Sequence, residues 1–281
     1  MSGKGAYNTM REGTRLSWWA RLVYAFVAVN ALAGALILIL LPERTDSLFF
    51  WPINPPINAG LFGALYLGGA AAVFLAVWRN TWERARYLVP ILVTAGIAIT
   101  AVTFVHLDKF SGGFRLIYWM VVYVGAPLLA LVIYVDQERR GADWDVLVPV
   151  RPLTRRIATA TGVVVAAAGL ALILWPHTAV AGWPWPNTPL MVRIFAAWFI
   201  AFGAGLLWFQ VERDWRRLQQ IPNLMVAAAG LDLLMVLIHR QQVTRTDLVL
   251  WLYCGHLVIF GLAAVVMHGL QHRSSKIVAP A

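Results

Sequence analysis

Residues 50–56 read Phe-Trp-Pro-Ile-Asn-Pro-Pro, and residues 183–189 read Trp-Pro-Trp-Pro-Asn-Thr-Pro. Each of these two Trp-Pro loops follows an apolar run that ends in proline, at Pro42 and at Pro176. Each loop also precedes a second apolar run that is rich in glycine, alanine and aromatic residues. The repetition of this order indicates an internal duplication of the chain.

The composition is that of a polytopic membrane protein. Of the 281 residues 60% are hydrophobic and only 13% are charged, and the mean hydropathy is +0.69. These values lie outside the range of soluble proteins. Apolar runs of about 20 residues, the length that a helix needs to cross the hydrocarbon core, recur along the chain. They predict eight transmembrane helices, at residues 20–41, 57–78, 87–106, 114–135, 158–175, 192–211, 224–239 and 248–268.

The predicted fold is all-α, with two four-helix repeats. Three matches carry the repeat: Trp51 with Trp185, His106 with His239, and Trp119 with Trp251. Because each repeat holds an even number of spans, both enter the membrane from the same side. The repeats are therefore expected to be parallel, with a pseudo-two-fold axis along the membrane normal. The predicted divisions are an interfacial anchor (1–19), the first repeat (20–135), a cytoplasmic linker (136–157), the second repeat (158–268) and a cytoplasmic tail (269–281).

The net charge of +10 is interpreted as a signal of topology. Of the Lys and Arg residues, 17 lie on the side of the termini and only 6 on the other side. Under the positive-inside rule both termini are cytoplasmic, in a multi-pass protein of a bacterial-type inner membrane. The basic residues sit in short clusters beside apolar runs, so we expect contact with the lipid bilayer and none with nucleic acid. The single cysteine, Cys254, excludes an intramolecular disulfide.

Two ionisable residues lie well inside predicted spans. Asp232 is surrounded by leucine, alanine and glycine in the seventh span, and His256 lies in the eighth. Ionisable groups within a span are costly and usually face the bundle interior or a wet cavity. The two residues lie at similar predicted depths, so we expect them to face each other as an intramembrane binding pair.

Tryptophan and histidine near the span ends suggest further sites. Most of the fourteen tryptophans fall at or beyond span ends, as in an interfacial belt. An alternative is a ligand vestibule on the outer face, built from Trp51, Trp183, Trp185 and Arg193. His106 and His239 occupy matching helix ends, where an imidazole also interacts favourably with the helix dipole. Histidines at matching positions of the two repeats could instead bind haem or a metal ion. No other cofactor is predicted for this chain.

A local likeness concerns the first Trp-Pro loop. The run Trp-Pro-Ile-Asn-Pro-Pro at residues 51–56, followed by an aromatic and glycine-rich helix, resembles the tryptophan-rich sensory/translocator proteins, which bind porphyrins and sterols. The likeness covers one loop and part of one helix. The eight-span duplicated layout departs from the five spans of that family, so its function is not transferred here.

The leading functional prediction is transport or permeation of a small molecule or ion, with Asp232 and His256 at the site. An alternative is a non-catalytic subunit that assembles with membrane protein partners or with copies of itself. A third is a redox protein that uses His106 and His239. The sequence shows no nucleophile elbow, phosphate loop or paired carboxylates, so enzymatic activity is not expected.

Overall fold

The computed structural model describes residues 13–272, whose regular elements are helices apart from isolated β-bridges. Eight of the helices are long and apolar enough to cross a membrane, which confirms the eight predicted spans. The chain is therefore an integral membrane protein in contact with a lipid bilayer. The spanning helices are α1 (Trp18–Leu40), α2 (Pro56–Arg79), α3 (Leu88–Val105), α4 (Phe114–Arg139), α5 (Pro152–Leu174), α6 (Pro189–Leu207), α7 (Gln220–Ile238) and α8 (Leu248–His272).

Several helices extend beyond the predicted spans. Helix α4 continues into the predicted linker as far as Arg139, and α8 continues into the predicted tail as far as His272. Helix α5 begins at Pro152 instead of residue 158, because proline fits the first turn of a helix, where its missing N–H costs nothing. Short helical segments between the spans are Pro42–Arg44, Thr45–Leu48, Trp82–Arg84, Leu107–Lys109, Pro176–Ala181, Trp208–Gln210, Trp215–Leu218 and Arg240–Gln242.

The eight helices form a ring of four hairpins. Within the hairpins, α1 packs on α2, α3 on α4, α5 on α6 and α7 on α8. Between the hairpins, α2 packs on α7, α8 on α5, and α6 on α3, while α4 touches α1 at few positions. Helices α2 and α6 are the most buried, whereas α5 and α8 expose most of their surface. We call the end of the bundle that carries the two Trp-Pro loops the Trp-Pro end, and the opposite end the linker end.

Small residues allow the closest helix contacts. A Cβ added at Gly63 of α2 would lie 3.3 Å from the carbonyl oxygen of Ala35 in α1. A Cβ added at Gly169 of α5 would lie 2.8 Å from the carbonyl oxygen of Ala196 in α6. Close backbone approach provides van der Waals contact, which matters most where lipid removes the hydrophobic drive between helices.

The Trp-Pro loops fold into the bundle instead of lying in the interface. Trp51 and Trp185 are only 2% and 1% exposed, which corrects the prediction that both belong to an interfacial belt. The physical reason is aromatic packing: Trp51 contacts Trp119 edge-on at 5.1 Å between ring centroids, and Trp185 contacts Tyr253 edge-on at 4.8 Å. Trp251, matched to Trp119 in the sequence, is 73% exposed, so Tyr253 takes the position against the second loop.

Among the other tryptophans, some are exposed and some are buried. Trp18, Trp78 and Trp175 are exposed near helix ends, as expected for an interfacial belt. Trp82 and Trp215 are buried at the linker end, which corrects the same prediction for them. The Trp82 indole donates to Glu138 Oε1 at 2.8 Å, so its N–H is satisfied without the interface.

One buried amide joins the two Trp-Pro loops. Asn58, in the first turn of α2, is completely buried. Its Nδ2 donates to the carbonyl oxygen of Pro186 at 3.1 Å, and its Oδ1 accepts from the Trp185 indole at 2.8 Å. The start of α2 is thus fixed against the second loop by two buried hydrogen bonds.

A buried charge cluster joins the turns at the linker end. Arg86, after α2, donates to Glu212 Oε2 through Nε at 3.0 Å and also through Nη2, and its guanidinium lies 3.6 Å from the centre of the Trp144 ring. Arg217 lies 3.5 Å from both Glu212 and Asp143. Because each buried cation has a carboxylate partner, the cluster ties the α2–α3 turn, the α6–α7 turn and the linker together.

The close contact of α5 with α6 predicts a strong effect of one added methyl group. Gly169→Ala should lower the free energy of unfolding by about 1–3 kcal/mol, because the new Cβ meets a backbone oxygen that cannot move independently. Thermal unfolding of the detergent-purified protein, followed by tryptophan fluorescence, measures the effect. Gly255→Ala in α8, where an added Cβ has no neighbour within 4 Å, is the control and should be neutral or slightly stabilising. Equal effects of the two substitutions would contradict the packing described for α5 and α6.

Candidate functional site

A cavity of about 300 Å³ lies among α1, α2, α3 and α4 and reaches α6 and α7. Its position follows from the helix ring, because α1 and α4 touch at few positions and leave a gap between them. Among the lining residues, Ala33 of α1 is exposed, and Gly34 of α1 and Val122 of α4 are half-buried. The exposed and half-buried lining residues indicate an opening on the flank of the bundle between α1 and α4, and Leu48, in the short helix after α1, is also exposed.

The cavity walls are mainly apolar, with a few polar groups from three helices. The Tyr66 hydroxyl of α2 and the Tyr123 hydroxyl of α4 are hydrogen-bonded to each other across the wall. The Tyr118 hydroxyl donates to Asn30 Oδ1, and this bond bridges α4 and α1. Asn30 Nδ2 in turn donates to the Phe26 carbonyl oxygen at 2.8 Å. An apolar space with a small number of placed polar groups is the usual form of a small-molecule site.

Two adjacent glycines of α2 leave this space free. A Cβ at Gly68 would have no neighbour within 4 Å, which means that a side chain there would project into the open cavity. A Cβ at Gly69 would lie 3.5 Å from the indole of Trp198, on α6. Neither these glycines nor the two tyrosines were predicted from the sequence as site residues. Asn30, a lone amide in the first span, was the available signal for a polar site here.

Asp232 and His256 have different neighbours in the fold. Asp232 is 8% exposed, and its Oδ1 has no hydrogen-bond partner. The His256 ring lies 5.0 Å from the Tyr253 ring and 5.9 Å from the Phe199 ring. Within residues 13–272, neither a hydrogen bond nor an ion pair joins Asp232 to His256. Asp232 lies one helical turn from Ala228, which lines the cavity. The role of the pair in binding stays a prediction.

His106 and Arg193 are in contact at the Trp-Pro end. Arg193 Nη1 lies 2.9 Å from His106 Nε2, and Arg193 Nε donates to the Ile173 carbonyl oxygen at 3.0 Å. Because a guanidinium is always a donor, His106 Nε2 must accept, and the neutral ring carries its proton on Nδ1. Burial lowers the pKa of His106, and the nearby charges of Arg193, Lys109 and His177 lower it further.

His239 has different neighbours. A Cβ at Gly60 of α2 would lie 3.2 Å from His239 Nε2, so the imidazole packs against the helix backbone there. Its Nδ1 lies 3.5 Å from Gln242 Nε2, and burial lowers the pKa of the ring. The part of the chain between residues 13 and 272 has no cluster of three or more His, Cys, Asp or Glu placed to hold a metal ion. Binding of haem or metal by the two histidines stays a prediction.

The predicted outer vestibule retains two partly exposed members. Trp51 and Trp185 are buried, whereas Trp183 and Arg193 are half-buried. The Trp183 ring stacks on Phe195 at 6.1 Å between centroids. A ligand at this end would therefore contact Trp183 or Arg193, and the vestibule stays a prediction.

The contact of His106 with Arg193 predicts a pH dependence of stability. The folded-state pKa of His106 is lowered, so the unfolded chain binds the proton first as the pH falls. The stability that the neutral ring contributes is complete above the unfolded pKa of about 6.5 and is lost as the pH falls through the folded pKa. His106→Gln keeps an acceptor for Arg193 but does not titrate. Unfolding temperatures between pH 8 and pH 5 should fall more steeply for the wild type than for His106→Gln, and parallel curves would contradict this assignment.

Comparisons with known proteins assign no family to the chain. No protein-family model, no curated protein and no solved structure matches the chain. The features of the molecule that indicate a function are the cavity between α1 and α4, Asp232 and the groups around Arg193.

Proposed function

We propose that the protein binds a small, largely apolar molecule that enters from the bilayer, and that it carries or conducts this molecule through the membrane. The observation that supports the proposal is the cavity of about 300 Å³ that opens sideways between α1 and α4. A molecule dissolved in lipid would reach this opening without crossing a polar loop. The volume lies at the lower end of the range for small-molecule sites.

The chemistry of the walls narrows the class of substrate. Aromatic rings of Trp119 and Trp198 line the space beside aliphatic side chains, which favours a ligand with flat or branched apolar surface. The hydroxyls of Tyr66 and Tyr123 can exchange their mutual hydrogen bond for bonds to a ligand oxygen or nitrogen. The proposed substrate is therefore an apolar molecule with one hydroxyl, carbonyl or similar polar group.

The proposal includes a parallel repeat of the two halves, with a pseudo-two-fold axis along the membrane normal. In the alignment that pairs Trp51 with Trp185, which pairs Trp119 with Tyr253 instead of Trp251, Gln137 is equivalent to Gln271 and Ser17 is equivalent to Arg151. Both glutamines are buried. Gln271 Oε1 accepts from the backbone N–H of Arg151, at the start of α5, at 3.2 Å. In the amide orientation that pairs its oxygen with donors, Gln137 accepts from the backbone N–H of Ser17, at the start of α1, at 3.0 Å. The two contacts are therefore equivalent, and they support the repeat.

A second equivalent pair supports the repeat at the Trp-Pro end. His106 of α3 contacts Arg193 of α6, and His239 of α7 packs on Gly60 of α2. The alignment that pairs His106 with His239 also pairs Gly60 with Arg193. Each half thus places the end of its third helix against the start of the other half's second helix. A carrier built in this way would alternate its access by movement between the halves.

Asp232 is the proposed ion-coupling group of the carrier. It lies on α7, which packs against α2 of the other half, and its Oδ1 has no hydrogen-bond partner. A buried carboxyl without a partner is costly when charged, so uptake and release of a proton there would accompany a change in solvent access. His256 would then be its partner in the accessible state. We also propose that the protein lies in a bacterial-type inner membrane with both termini in the cytoplasm. The two other functions, a subunit of a membrane assembly and a redox protein, stay predictions.

Filling the cavity should abolish binding. Gly68→Leu places an isobutyl group in open space, so it should occupy the site without disturbing the helices. Photolabelling with a diazirine-bearing long-chain alcohol in lipid nanodiscs, followed by peptide mapping, measures occupancy. Labelling of α1 and α4 within the cavity should fall about tenfold in Gly68→Leu, because a filled site leaves no room for the probe.

The matched control is Gly230→Leu, on the lipid-facing side of α7, where an added Cβ also meets nothing within 4 Å. It adds the same side chain to a helix of the same bundle outside the cavity. Labelling in this variant should equal that of the wild type. Wild-type labelling of the cavity peptides in Gly68→Leu would overturn the proposed binding site.

A further inference from the structure

We infer that Arg193, together with His106, Lys109 and His177, forms a binding site for an oxyanion, phosphate above all, at the Trp-Pro end. The site is separate from the cavity and does not depend on the proposed transport. Arg193 is half-buried in the first turns of α6. Its two hydrogen-bond partners, the Ile173 carbonyl oxygen and His106 Nε2, are both neutral.

The charge of Arg193 is not compensated by a carboxylate. No ion pair involves it within the described ranges, residues 13–272. The buried arginines at the linker end are different, since Arg86 and Arg217 both lie beside Glu212. A partly buried cation is costly unless an opposite charge accompanies it. A bound anion is the partner that would complete this site.

Arg193 also has hydrogen-bond donors that no described residue accepts from. Its Nη2 makes no hydrogen bond to any described residue, and two N–H groups of that nitrogen remain for a ligand. The other half-buried arginines at the Trp-Pro end are different. Arg115 Nη1 donates to the Asp46 carbonyl oxygen at 3.0 Å, and Arg115 Nη2 donates to the Ser47 carbonyl oxygen. Arg245 Nη1 donates to the Ala181 carbonyl oxygen at 3.2 Å, and Arg245 Nη2 donates to Asp247 Oδ2 at 3.1 Å. Among the half-buried arginines that the structure describes at this end, Arg193 is therefore the one with an available terminal nitrogen.

The surroundings of Arg193 are positive. Lys109 and His177 lie close enough to His106 to lower its pKa, together with Arg193 itself. Both are exposed, so they can approach a ligand from the aqueous side. Asp108 is the acidic group that acts in the opposite direction on His106, and it is already paired with Lys109 at 2.8 Å. An open guanidinium with the Lys109 ammonium nearby favours an oxyanion.

Two sources can supply the same chemistry. A guanidinium binds the oxygens of a phosphate group in the same way whether the phosphate is free or belongs to a lipid headgroup. The start of α6 lies at the membrane surface, where both sources are available. The experiment therefore uses two probes, inorganic phosphate and dioleoyl phosphatidylglycerol.

The measurement is the unfolding temperature of the full chain in a phosphate-free detergent, titrated with each probe. Chloride at equal ionic strength and dioleoylglycerol, which lacks the phosphate, are the reference additives. A specific ligand raises the unfolding temperature with its concentration. Stabilisation by both probes identifies an oxyanion site open to water, and stabilisation by the lipid alone identifies a headgroup site. Stabilisation by neither probe overturns the inference.

Variants with opposite expected effects make the test specific. Arg193→Gln should weaken binding about tenfold or more, as expected for loss of a charged hydrogen-bond donor. Asp108→Asn removes the nearby negative charge and should strengthen binding, and because Asp108 is exposed the substitution does not threaten folding. Arg240→Gln, which removes an exposed positive charge at the same end, should leave binding unchanged. Equal affinities of the wild type and Asp108→Asn, or a loss in Arg240→Gln as large as in Arg193→Gln, would contradict a local site.

Discussion

The close approach of α1 to α2 and of α5 to α6 is the constraint on which the structure depends. In lipid, apolar side chains gain little by meeting each other, so helices associate where small residues allow backbones to touch. Gly63 and Gly169 mark these contacts, and each faces a backbone oxygen of the partner helix. In the two hairpins that result, α2 and α6 are the most buried helices of the ring, and the other two hairpins pack against them.

The cavity is a consequence of the same packing. Helix α1 is held by α2, and α4 is held by α3, so no strong contact draws α1 and α4 together. The gap between them is bridged by the bond of Tyr118 to Asn30, and its inner wall carries the hydroxyls of Tyr66 and Tyr123. On the proposed repeat, in the alignment that pairs the two histidines at the helix ends, the counterpart of Tyr66 is Phe199. The polar side chains that line the cavity thus belong to the first half, whereas the buried acid, Asp232, belongs to the second.

The sequence predicted the eight spans because apolar length is a local property that hydropathy reads directly. It did not predict which helices of the two halves pack against each other, and the contact of His106 with Arg193 depends on that packing. Burial of Trp51 and Trp185 was also missed, since an indole beside a span end is typical of an interfacial belt unless a loop folds inward. Tyr66 and Tyr123 were not predicted as site residues. A buried hydroxyl needs a partner, and two such residues in different spans can supply it to each other.

The central claim is that the opening between α1 and α4 is a ligand site. An experimental structure in nanodiscs of native lipid tests it most directly. We expect α1 and α4 to lie apart, with density for a bound molecule beside the Tyr66 and Tyr123 hydroxyls. Direct packing of α1 against α4, with side chains filling the space next to Gly68, would contradict it.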